Sequence, residues 1–265
     1  MLARKKNRGT ETNYNIDNPS NEVLRYLQLG DIYVNDAFGC CHRNHMSITS
    51  FKHLNKSFGY LINDELYHLK QITNNQSNQK ILAIIGGGKM DDKLPLLENL
   101  SKKIETIYIA GGNINSIRKN LVYQRYLDTI KDNKASIYTM HDGLAAIDLQ
   151  TPPTMMKTDT IQNLINFYDI GMSSIIELSN LISNHDLIFW NGPLGVIEHD
   201  FYYYGSKTLM EILRNSGKRV IIGGGDTAAF IHKYPHNFEY ISTGGGASLD
   251  YISNGHLVGY DIFKD

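Results

Sequence analysis

A chain of 265 residues has room for one large domain, or for one domain with part of a second. With 42% hydrophobic and 20% charged residues it holds ample material for a core, which excludes wholesale disorder. A net charge of -1 leaves no footprint for nucleic acid, two adjacent cysteines (Cys40, Cys41) cannot frame a disulfide fold, and no apolar run approaches a bilayer span.

Six short apolar runs read as buried strands. In chain order they are Ile81–Ile85, Thr106–Ala110, Ser136–Met140, Leu187–Trp190, Arg219–Ile222 and Tyr240–Ser242. They are nearly continuous in apolar residues rather than alternating, as strands covered on both faces are. Helical spacing fills the gaps: Lys93–Lys103 with Leu94, Leu97 and Leu100, then Ser173–Ile182, then Ala228–Lys233. Strand, loop, helix, strand predicts an α/β fold, a three-layer Rossmann-like domain around a six-stranded parallel sheet.

Glycines follow five of these strands, as Gly86-Gly87-Gly88-Lys89, Gly111-Gly112, Asn191-Gly192-Pro193-Leu194-Gly195, Gly223-Gly224-Gly225-Asp226-Thr227 and Gly244-Gly245-Gly246. In a parallel sheet all five loops share the carboxyl edge, where open α/β sheets bind ligands. One such loop is more often a tight connection than a phosphate cradle, and none matches the Walker or dinucleotide patterns. Five together, with lysines and a carboxylate among them, point to a nucleotide phosphate site with magnesium. Lys89 and Lys93, four apart where a helix opens, are expected on one face, within reach of one phosphate chain. Cations are disfavoured at a helix start, which speaks against a merely solvated pair. Asp226 reads either as the N-cap of its helix or as a magnesium contact.

These loops resemble the signatures of the phosphoglycerate kinase family. The resemblance rests on Leu187–Val196 (LIFWNGPLGV), Ile221–Ala229 (IIGGGDTAA), Ser242–Asp250 (STGGGASLD), Leu82–Lys93 (LAIIGGGKMDDK) and Gly30–Gly39 (GDIYVNDAFG), the last followed by His42-Arg43-Asn44-His45. Order and spacing agree from about Leu27 to Tyr260, whereas Met1–Asn18 matches nothing. The resemblance implies Mg2+ with ADP or ATP. It makes Lys93 a phosphate ligand and Lys89 an aid to the transferred group, counts Gly225 with them as catalytic, and has Gly244–Gly246 supply a helix N-terminus near the transfer path. Gly87, Gly88, Gly111 and Gly112 would line the nucleotide. Asn191, Pro193, Gly195 and Val196 would form the adenosine pocket, and Glu198 would hold the ribose. Gly224, Gly225, Asp226 and Thr227 would form the phosphate loop, with Asp226 on the metal. Arg43 would contact the phosphate of phosphoglycerate.

The family pattern divides the chain into residues 1–57, an unmatched start and the remnant of a substrate lobe; residues 58–75, an interlobe helix over Phe58–Gln71; and residues 76–265, the nucleotide domain. Family members are about 400 residues long, and the basic patch for the acid substrate has no counterpart here beyond Arg43. The remnant is expected to supply one strand, Asp31–Asp36, without sheet neighbours, and the helix an apolar face left partly uncovered. The function implied is phosphoryl transfer between 1,3-bisphosphoglycerate and ADP, a glycolytic step. This chain alone is expected to be inactive, with 3-phosphoglycerate a partner only if the missing lobe is supplied. Alternatives are a nucleotide-binding or interaction protein that has lost the chemistry, and a reading frame that begins further upstream. A soluble cytoplasmic protein is expected, with neither nucleic acid nor membrane as a partner.

Overall fold

The computed structural model describes residue 25 and residues 28–51, 54–74, 79–160 and 164–263. The basic start and Met1–Asn18 lie outside them. Eleven strands are found among the described residues: β1 (Ile32–Asn35), β2 (Asn55–Phe58), β3 (Ile81–Ile85), β4 (Thr106–Ile109), β5 (Ser136–Thr139), β6 (Asp142–Ala146), β7 (Thr154–Lys157), β8 (Asn166–Ile170), β9 (Leu187–Asn191), β10 (Arg219–Gly223) and β11 (Tyr240–Ile241). The helices are α1 (Met46–Thr49), α2 (Tyr60–Thr73), α3 (Leu94–Lys103), α4 (Asn113–Lys119), α5 (Leu121–Ile130), α6 (Met172–Ser183), α7 (Tyr204–Asn215), α8 (Gly225–Ile231), α9 (Gly246–Asn254) and α10 (Val258–Asp261).

The six expected strands form one parallel sheet in the order β11-β10-β9-β3-β4-β5. Every residue of β3, β4 and β9 is buried, which is why their sequences show no alternation; β5 and β11, expected to be buried as well, are the two edge strands and are only partly covered. From β3 the chain winds outward through β4 to β5, then returns to pair β9 with β3 and winds the other way through β10 to β11. The strand order therefore reverses between β3 and β9, and a crevice opens at such a reversal beyond the carboxyl ends. Gly86–Lys89 and Gly192–Gly195 leave these two strands.

A three-stranded antiparallel sheet, β7-β6-β8, was not legible in the sequence. Its strands read DGLAA, TMMK and NFYDI, too mixed in polarity to resemble a buried run.

Several expected elements change at their ends. Lys93 closes a 3-10 turn, Asp91–Lys93, and α3 begins at Leu94 with Pro95 in its first turn, where the ring costs no hydrogen bond. Lys89 precedes that turn, so the two lysines do not share a helix face. The helix expected at Ala228–Lys233 starts earlier, at Gly225, so Asp226 lies in its first turn; its N-cap is Gly224. Phe58 ends β2 and Gly59 is the N-cap of α2, which delays the expected Phe58–Gln71 helix to Tyr60.

The amino-terminal remnant also departs from expectation. Strand β1 does have a neighbour, since β2 pairs with it in parallel from Ile32↔Asn55 to Asn35↔Phe58. The sequence of β2, NKSF, carries no apolar signal. The inner face of the pair meets an aromatic cluster: Tyr33 stacks on Phe51 at 4.5 Å, and Phe58 meets Phe263 at 4.0 Å and Tyr260 at 5.4 Å. The apolar face of α2 is covered too, with Ile62, Leu66, Leu69 and Ile72 buried in the same core as the six-stranded sheet. Asp36 accepts the Ile62 N–H at 3.1 Å, and buried Glu65 accepts the Thr243 N–H at 2.7 Å and its hydroxyl at 2.9 Å.

Candidate functional site

At the reversal the loops after β3, β4 and β9 lie against one another. The Gly86 N–H donates to Asn191 O at 2.8 Å, the Gly87 N–H to Pro193 O at 2.8 Å, and the Asn113 N–H to Gly87 O at 2.8 Å. A Cβ on Gly86 would lie 2.3 Å from Gly192 O, and one on Gly192, whose φ is +90°, would lie 2.4 Å from Gly86 O. These glycines are required by loop-to-loop contact. Gly224 and Gly225 differ: φ at Gly224 is +90°, and nothing lies within 4 Å of a Cβ built on Gly225. Open space stands before the first turn of α8.

Lys93 reaches this junction from the turn ahead of α3. It is only 9% exposed, and its ammonium donates to the side-chain oxygen of Asn191 at the end of β9. Burial pushes its pKa down to about 8 against the pull of Asp92 and Asp226, which favour the charged form. The Asn191 amide nitrogen is buried without a hydrogen-bond partner and lies 3.1 Å from where a Gly224 Cβ would be. A buried cation, an idle amide donor and a nearby carboxylate are what a phosphate chain with its metal would engage. Thr227 is buried and its hydroxyl accepts the Gly192 N–H at 2.9 Å, joining the loops after β9 and β10. Trp190 locks the same turn by donating to Gly192 O at 2.7 Å.

The structure thus brings together Lys93, Asn191, Gly224, Asp226 and Thr227. Lys89, Asp226 and Glu198 are exposed, Gly88 and Gly225 likewise, while Gly87, Gly112, Pro193, Gly195 and Val196 are half-buried and Gly111 is buried. Asp226 makes no side-chain cap, which removes the N-cap reading. Arg43 is exposed and donates to His42 Nε2 at 3.0 Å; His42 in turn lies 3.2 Å from a Cβ built on Gly246. Arg43 is therefore linked to the loop after β11, not to the Lys93–Asn191 junction. Phe38 closes on that same loop, 2.4 Å from a Cβ on Gly244.

Among the described residues no group of three or more His, Cys, Asp or Glu gathers to hold a metal alone. Magnesium carried by a nucleotide needs only one or two carboxylates besides the phosphates, which Asp226 fits. Sequence reasoning missed Asn113, whose amide donates to Gly86 O at 2.9 Å, and also Asp169 and Ser206 behind the β9 loop.

A family model described as phosphoglycerate kinase matches residues 8–255. The chain belongs to the phosphoglycerate kinase family. The match begins at residue 8, so the stretch that carries no recognisable motif is largely inside the family pattern, a correction to the reading that Met1–Asn18 matches nothing. Phosphoglycerate kinase of Mycoplasmoides gallisepticum is 34% identical over 90% of this chain and 64% of its own length. That of Mycoplasma genitalium is 36% identical over 91% and 64%. The solved structure of phosphoglycerate kinase from Coxiella burnetii superposes with a TM-score of 0.79 at 26% identity, covering 91% of this chain and 67% of that one. The chain spans about 64% of the length of the curated relatives it matches.

Proposed function

We propose that this chain binds magnesium-ADP or magnesium-ATP at the β3/β9 reversal and forms the nucleotide side of a phosphoglycerate kinase reaction. The observation that carries the reading is the buried Lys93 ammonium on Asn191, with the Asp226 carboxylate near enough to favour its charged form. Lys93 would hold the phosphates by charge, with Lys89 free in its loop to approach the moving group. The half-buried Pro193, Gly195 and Val196 would receive the adenosine, and exposed Glu198 would receive the ribose hydroxyls. Asp226 would hold magnesium, which supplies charge neutralisation on the phosphates when bound. Phosphoryl transfer depends on positioning and on neutral surroundings at both ends of the path. On the acceptor side Arg43 is the one substrate contact the resemblance carries over, and it is turned to His42. Transfer from 1,3-bisphosphoglycerate would therefore need the remaining third of the family fold. No described helix is long and apolar enough to cross a membrane.

A coupled assay tests the transfer. The purified 265-residue chain is expected to run far below roughly 10 turnovers per second, a typical enzyme value. Turnover at that level by the chain alone would contradict the need for the rest of the fold.

A further inference from the structure

Three ties hold residues Leu194–Val196, and none of them involves Lys93, Asn191 or Asp226. The Leu194 N–H donates to the Ser206 hydroxyl at 2.9 Å, and the Val196 N–H donates to Tyr168 O at 2.9 Å. Between them Gly195 lies directly on Asp169: a Cβ there would be 2.3 Å from Asp169 Oδ1. Asp169 is 1% exposed at the end of β8, and it also accepts the Gly205 N–H at 2.8 Å in the first turn of α7. That turn has no side-chain cap of its own. The carboxylate therefore satisfies one of the helix's orphan donors and meets its positive end. A Cβ on Gly205 would also lie 2.3 Å from Asp169 Oδ1, so backbone closes on the carboxylate from two sides. Burial pushes the Asp169 carboxyl up to about 7, against two N–H donors that favour the charged form.

We infer that Asp169 and Ser206 are positioning residues for the nucleoside half of the site, fixing Gly195 and Val196 by locking the β9 loop to β8 and to the start of α7. Neither residue is on the phosphate side, where Lys93, Asn191 and Asp226 meet. Loosening them should separate two things a nucleotide site does: hold the phosphates, and hold the base and sugar. The inference rests on the nucleotide reading proposed above.

The test is a calorimetric comparison of magnesium-ADP with magnesium-pyrophosphate on the full chain and on three variants. Ser206→Ala removes one acceptor and should weaken ADP by roughly three- to tenfold, the scale of one hydrogen bond, with pyrophosphate unchanged within about twofold. Asp169→Ala should weaken ADP more. Asp169→Asn keeps an oxygen for the Gly205 N–H and should recover part of that loss. If Asp169→Ala does not fold, Ser206→Ala and Asp169→Asn decide the matter. Equal losses for both ligands, or no loss of ADP in any folded variant, overturn the inference. A wild-type chain that binds neither ligand overturns the site itself, and the inference with it.

Discussion

The six-stranded sheet and the β1–β2 pair are both parallel, yet only one of them is finished. Around the sheet, β3, β4 and β9 are wholly buried, and the loops from β3 and β9 meet at a reversal that needs nothing further to take shape. In the pair, Tyr33 turns inward to Phe51, while Ile32 and Val34 on the other face are 66% and 57% exposed. Parallel strands are ordinarily covered on both faces, and two strands alone are barely stable. The pair persists because its inner face, Asp36 and α2 fasten it to the larger domain. The difference teaches how unevenly the two regions are covered: the central strands of the sheet are enclosed on both faces, whereas the β1–β2 pair is covered on one.

The largest effect should follow a break in the finished region. Trp190→Ala empties a wholly buried site on β9 and leaves Gly192 O without its donor, and is expected to cost about 3–5 kcal/mol by chemical denaturation. A loss below about 1 kcal/mol would mean the sheet is not the stable unit.

A second effect separates the regions by pH. Asp169 holds its proton more tightly when folded (about 7) than when unfolded (3.8), so its contribution to stability is full below pH 4 and is lost as pH rises through 7. At 1.36 kcal/mol per pH unit the ceiling is about 4 kcal/mol. Relative to Asp169→Asn, which cannot ionise there, the wild type should lose stability between pH 4 and pH 8. A flat difference over that range would remove the buried-carboxylate account.

The smallest effect belongs to the open face. Ile32→Thr should change stability by no more than about 0.5 kcal/mol, since the side chain is already in water. A loss comparable to that of Trp190→Ala would show that something covers this face.

Much of the larger region was legible because its chemistry is repetitive. The buried strands β3, β4 and β9 were nearly continuous apolar runs, and glycines followed five of the six strands of the sheet, so the strands and their shared edge could be named from sequence. What failed was local or tertiary. Pro95 set the start of α3 and left Lys89 and Lys93 on different elements. Asp226 could not be told from a cap until Gly224 took that place. Strand β2 and the β7-β6-β8 sheet carry too little apolar contrast, and Asp169 reads as an ordinary acid until Gly195 and Gly205 close around it.

The central claim is that the buried Lys93 on Asn191 is a phosphate site. Calorimetric titration of magnesium-ADP into the wild type and into Lys93→Met tests it most directly. The account predicts saturable binding by the wild type at or below millimolar nucleotide, and a loss of roughly ten- to a hundredfold in the variant, the scale of a charge-assisted hydrogen bond. No heat from a folded wild type, or equal affinity in Lys93→Met, would contradict it.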